Sequence, residues 1–186
     1  MMDPILDACQ LRVLAGMLAY PEAESYAVLA EWAVTDAPWL SAALPELHII
    51  ALDAWQGEHT RLFINGFPKT VCPPFESFWR HGRMDGRAGE QLLQIYRQAG
   101  LELSDGSVAD YLGTILECSA YCLATTGHSL LEQLTDHHLR LWIPEFATTL
   151  AREAELSLYR LLAQQLQHLF GSNSHGGSIP LAVMPA

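Results

Sequence analysis

Apolar residues recur at three- and four-residue intervals along nearly the whole chain, the spacing that places them on one face of a helix. Ile5, Cys9, Val13, Leu14, Met17 and Leu18 form a first such stripe. Asp3 is positioned to cap it, with Pro4 at a site where a missing N–H is harmless. Tyr20-Pro21 ends it, because a residue before proline resists the α conformation. Tyr26, Leu29, Ala30 and Ala33 mark a second helix, and Asp36, Pro38 and Pro45 break the chain that follows. Residues 47–63 read as one long helix, with Leu47, Ile50, Ala51, Ala54, Trp55, Leu62 and Phe63 facing inward.

Residues 65–81 differ, holding three prolines together with Phe67, Phe75, Phe78 and Trp79. The stretch is too apolar for a solvated loop and too proline-rich for a helix. It is expected to form an ordered loop laid over the helices, and long ordered loops tend to carry function. Helix resumes near Asp85 and stops at Gly100, a C′ residue by type. Ser107 and Asp110 are placed to cap a helix over residues 108–126, apolar nearly all round and therefore central, with Gly127 at its end. Residues 129–141 follow, and Pro144 is placed to start a last helix running to Phe170. No β-alternation stands out. The fold class is all-α: a single-domain bundle of about seven or more helices over residues 1–170, with a Gly/Ser-rich tail, 171–186, expected to be flexible.

Composition narrows the possibilities. Of 186 residues, 50% are hydrophobic and 17% charged, which excludes general disorder. The formal net charge of -11 argues against nucleic acid and suits a cationic partner. The most apolar stretch, residues 111–131, is interrupted by Glu117, Thr125, Thr126 and His128, so membrane insertion is not expected. Asp3 and Asp7 stand where an export signal needs Lys or Arg, which points to the cytoplasm.

Candidate chemistry is sparse. Cys9, Cys72, Cys118 and Cys122 contain no CxxC pair, and no cofactor is implied. Cys118 and Cys122 share a helix face and could hold a soft metal, although two small core residues explain them as well. His137 and His138 are neighbours that diverge on a helix. No HExxH, GxSxG, GxGxxG or P-loop occurs, and nothing pairs Glu58, Glu76, Asp110 and Glu117 for acid–base work. A recognition surface remains. Phe75, Phe78 and Trp79 beside Glu76 suit a peptide with apolar and cationic side chains, or else they seal the core under the loop.

Taken together, these motifs resemble a known family. Residues 58–63 (EHTRLF) are followed by 73–79 (PPFESFW), then 109–112 (ADYL) with Leu116-Glu117. His138-Leu139, Trp142, Pro144 and Phe146 come next, ahead of Tyr159 and Leu162-Ala163. In this order they resemble the TorD/DmsD/NarJ family of redox-enzyme maturation chaperones across residues 5–170. The resemblance implies a cytoplasmic all-α protein without turnover. It would bind the catalytic subunit of a molybdoenzyme of the dimethyl sulfoxide reductase superfamily, often through a twin-arginine signal peptide. It would delay export or assembly until the molybdopterin guanine dinucleotide cofactor is in place, as a monomer or a domain-swapped dimer. The family's Asp-His pair stands here as Asp110-Tyr111, and its preceding proline as Val108.

Carried onto this sequence, the resemblance makes Phe75, Glu76, Ser77, Trp79, Tyr96, Asp110, Tyr111 and His138 the candidate peptide-binding set. Guanidinium groups favour carboxylates in fork geometry, and an apolar leader favours an aromatic groove. Plainer roles stay open: a helix cap for Asp110, packing for Tyr96, a satisfied histidine at His138. Glu117, in an apolar helix, is expected to pair with an arginine of the same chain. Trp142 reads as packing and Pro144 as a helix start. The competing function is a helical metal- or redox-responsive protein using Cys118 and Cys122.

Overall fold

The fold was analysed in a computed structural model, which describes residues 6–84, 86–125 and 128–171. The expected Asp3-Pro4 cap, Asp85, Gly127 and the tail beyond Gly171 lie outside these residues. Helix α1 spans Ala8–Met17, with Asp7 as its cap: the carboxylate accepts from the backbone N–H of Cys9 and Gln10. It is followed by α2 (Ser25–Thr35), a 3₁₀ turn (Pro38–Ala42), α3 (Leu44–Ile49) and α4 (Leu52–His59). Residues 65–81, expected to be loop throughout, end in a short helix α5 (Glu76–His81) past the last proline of the stretch, and α6 (Gly86–Gln98) follows it. The second half holds α7 (Leu112–Ala124), α8 (His128–Leu134), α9 (Arg140–Glu153) and α10 (Ser157–Phe170). Among the described residues there is no strand, only one isolated antiparallel bridge between Phe75 and Tyr111. The all-α expectation holds.

Two helices carry a π-type turn. One, Thr60–Ile64, continues α4, and Asn65 N–H bonds to the Thr60 carbonyl five residues back. The other, Thr135–Leu139, joins α8 to α9. Pro144 therefore sits inside α9 rather than starting a helix. The expected helix over 47–63 is interrupted by the extended residues Ile50 and Ala51. Its two pieces bury Leu47, Trp55, Leu62 and Phe63, while Ala51 and Ala54 face solvent.

The expected last helix is also broken, at residues 154–156. Side chains from elsewhere satisfy the backbone groups freed there. Glu58 accepts from Glu155 N–H at 2.7 Å, and Glu46 accepts from Ser157 N–H at 2.7 Å. Arg61 donates to the Glu153 carbonyl at 2.7 Å, and Arg160 to that of Ala154 at 2.9 Å. A buried backbone group without a partner is costly, so these four contacts make the break tolerable.

Helix α7 is central, as expected. It buries Leu112, Ile115, Leu116, Cys118, Ala120 and Cys122 and packs against α1, while α9 packs along α10. It begins at Leu112, and neither Ser107 nor Asp110 caps it. Glu117 is exposed, so the expectation of a buried ion pair there is corrected: α7 keeps one face to solvent. Gly100 closes α6 with φ 75, and Leu101 N–H reaches back to the Tyr96 carbonyl, the terminator its residue type predicted. Trp142 is fully buried, with its ring 5.5 Å from that of Phe146.

Candidate functional site

The proline-rich loop is tied down on both sides. Cys72 N–H bonds to the Leu62 carbonyl, Leu112 N–H to that of Pro74, and Glu76 N–H to that of Asp110. This pairing carries the Asp110 carboxylate over the start of α5, where it accepts from Ser77 N–H at 3.1 Å. Asp110 thus caps a helix 33 residues upstream instead of its own.

Glu76 is completely buried. Its carboxylate accepts from Arg80 Nη1 and lies 2.9–3.0 Å from His138 Nδ1. Arg80 also reaches the His137 carbonyl at 3.5 Å, which ties α5 to the π turn before α9. Tyr96 donates to the Ala109 carbonyl at 2.7 Å, and Tyr111 to that of Leu18 at 2.8 Å. Burial holds both phenols above the ordinary tyrosine range, Tyr111 at about 12. Trp79 Nε1 donates to the Pro73 carbonyl at 2.7 Å, and its ring meets Phe146 edge-on at 5.7 Å.

The eight candidate residues are therefore brought together, but as a scaffold. Glu76, Ser77, Tyr96, Asp110 and His138 are buried, and only Phe75, Trp79 and Tyr111 are half-buried. Glu76 and Asp110 are the two acids expected from the sequence to meet a guest guanidinium. Both carboxylates already accept hydrogen bonds from this chain and are withdrawn from solvent.

An open apolar groove lies beside this scaffold, at the junction of α1, α2, α4 and α10. It has a volume of about 210 Å³, below the roughly 300–1,000 Å³ of small-molecule sites, which suits the side chains of a peptide. Met17, Val28, Trp32, Trp55 and Leu158 form its apolar walls. Glu22 and Glu24, both exposed, sit on its rim.

Each wall is fixed by a traceable contact. Gln56 Nε2 donates to the Pro21 carbonyl at 2.8 Å and holds the α1–α2 turn against α4. Trp55 Nε1 donates to the Tyr159 hydroxyl at 3.1 Å, and His59 Nδ1 lies 3.0 Å from the same oxygen. Burial lowers the His59 pKa to about 4, so its imidazole is neutral near pH 7. Gly16 lets the Trp32 ring approach α1 closely: a Cβ there would stand 2.4 Å from the ring. The Tyr111–Leu18 bond joins this groove to the loop scaffold.

Sequence reasoning missed Gly16, Glu22, Glu24 and Trp32 as site residues. The available signal was the acidic turn Pro21-Glu22-Ala23-Glu24 between two apolar helices.

A second groove, of about 410 Å³, lies between α1, α7 and residues 101–107. Arg12, Glu102, Ser104, Glu117 and Tyr121 line it, with Cys118 on its floor. The Cys118 and Cys122 thiols interact one helical turn apart, which eases loss of a proton from Cys122 and hinders it at Cys118. Among the described residues, no group of three or more His, Cys, Asp or Glu side chains is arranged to hold a metal ion. Nor is any helix there long and apolar enough to cross a membrane.

A family model described as nitrate reductase delta subunit matches residues 26–148. A crystal structure from Archaeoglobus fulgidus, assigned as that of a redox enzyme maturation protein, aligns with a TM-score of 0.65 at 21% identity. The alignment covers 90% of this chain and 95% of that one, a likeness of fold. No curated protein matches the chain.

Proposed function

Since this chain belongs to the nitrate reductase delta subunit family, whose members are maturation chaperones and not enzymes, we propose that it holds the catalytic subunit of a molybdoenzyme by a leader segment. The segment carries two arginines ahead of an apolar run, as a twin-arginine signal peptide does. Holding it in the cytoplasm delays export or assembly until the cofactor has been inserted.

One observation carries this reading: an apolar groove with exposed Glu22 and Glu24 on its rim, in a chain of net charge -11. Apolar side chains of the leader fill the space between Val28, Trp32 and Trp55, and its guanidinium groups meet the rim carboxylates. The loop scaffold contributes rigidity, and through Tyr111 and Leu18 it fixes the end of α1 that forms one wall. Phe75, Trp79 and Tyr111, half-buried, are the candidate residues that a longer client segment can still touch.

Calorimetric titration with a synthetic peptide of this composition tests the proposal. Binding that weakens with salt, and that Glu22→Gln with Glu24→Gln weakens about tenfold while flattening the salt dependence, is the expected result. Absence of heat with such peptides, together with failure to co-purify with a molybdoenzyme subunit from the native host, refutes it.

A further inference from the structure

The chain carries its own apolar segment with the reach to enter this groove. Beyond Gly171, residues 172–186 read SNSHGGSIPLAVMPA and contain no Asp, Glu, Lys or Arg. The first seven are small or polar, and the next eight, IPLAVMPA, are wholly apolar. Pro180 and Pro185 favour an extended entry over a helical one.

The distances close. Helices α1 and α10 run antiparallel: Gln10 in the first turn of α1 bonds to Gln165 near the end of α10, while Met17 and Leu158 meet at the groove. From Leu158 to Gly171 the helix rises about 20 Å. Seven extended residues, 172–178, span about 23 Å, enough to run back along the bundle and deliver position 179 to the groove.

We propose that segment 179–186 of this chain occupies the α1–α2 groove in the resting protein and is displaced by a client. The segment matches only half of the site. It offers apolar side chains to Val28, Trp32 and Trp55 but no cation to Glu22 and Glu24. A client leader with arginines satisfies both halves and so prevails over a tethered occupant. The tether keeps the segment at an effective concentration in the millimolar range, which covers the apolar walls without needing high intrinsic affinity. Docking rests on the groove and the tail alone, whereas displacement by a client rests on the proposed function.

The test compares the full chain with the full chain carrying Leu181→Asp and Met184→Asp. Hydrogen exchange of the backbone at residues 16–29 is expected to speed up at least threefold in the variant, with α9 unchanged. A synthetic peptide bearing two arginines and a leucine-rich run is expected to bind the variant about three- to tenfold more tightly than the unmodified chain. Equal exchange in the two proteins overturns the proposal. Protection that rises with protein concentration also overturns it, since the occupant is then a second copy's tail. Faster exchange in the variant with no peptide binding to either form supports docking and removes the groove from the proposed function.

Discussion

Replacing Glu76 with Gln separates a scaffold residue from a client-binding one. The carboxylate is fully buried, accepts from Arg80 Nη1 and lies 2.9–3.0 Å from His138 Nδ1. Glutamine keeps one acceptor oxygen but turns an NH₂ toward groups that were donating, leaving Arg80 without its counter-charge. Breaking a buried pair by removing one partner costs about 3–5 kcal/mol. The Arg80 side chain is 26% exposed and can turn to water, so the cost falls below that range, to about 2–3 kcal/mol. For a chain of this length each kcal/mol moves Tm by about 2–4 °C, which gives a drop of about 4–12 °C. The assay pairs thermal unfolding with calorimetric titration of the two-arginine peptide, run well below the variant's Tm. The expected pattern is a large fall in Tm with affinity unchanged within about twofold. An unchanged Tm with tenfold weaker binding refutes the argument and returns Glu76 to the client.

Two further outcomes follow from the groove. Gly16→Ala places a Cβ 2.4 Å from the Trp32 ring, which must swing away; the gain in helix propensity, about 1 kcal/mol, offsets the lost contact, so Tm should stay within a few degrees while peptide affinity drops several-fold. A parallel loss of both, or of neither, in the same thermal and calorimetric measurements contradicts the assigned wall. His59 titrates at about 4 in the fold against 6.5 unfolded, so its contribution is present above pH 6.5 and is lost as pH falls toward 4. Urea unfolding across that range should show stability declining by about 2–3 kcal/mol more in the native chain than in His59→Gln, and equal declines refute the assignment.

Much of the fold was legible because helical periodicity is a local signal. The apolar faces of α1, α7 and α10 could be counted from the chain, and Gly100 announced its own turn. The misses share a different origin. Residues 151–160, AREAELSLYR, are strong helix formers, and nothing in them forecasts the break before Ser157. The break exists because Glu46 and Glu58, about a hundred positions away, supply acceptors for its backbone. Asp110 followed the same logic. Its type and place announced a cap, but the helix it caps is reached through pairing with the proline-rich loop. The motif residues were correctly grouped in sequence. Their burial was not legible, because a loop carries no period that marks its inner face. Gly16 was equally silent, since its meaning depends on Trp32 of the next helix.

The fate of the carboxylates refines what the acidic balance means. Glu46 and Asp110 accept from backbone N–H groups and meet no cation in those bonds, so their negative charge persists in the field around the protein. Glu58 and Glu76 face Arg61 and Arg80, and their charge is largely cancelled nearby. Under the proposed function, a cationic leader would sense the surplus at a distance but touch only carboxylates that remain exposed, Glu22 and Glu24 at the groove among them. Attraction at a distance and grip at contact thus belong to different residues. At about 0.1 M salt, charges more than about 10 Å apart are screened, so steering fades while contact pairs at the rim persist in part. Added salt should then slow association well before it speeds dissociation. Apolar substitutions in the groove, such as Val28→Ala, should do the reverse and act on dissociation alone.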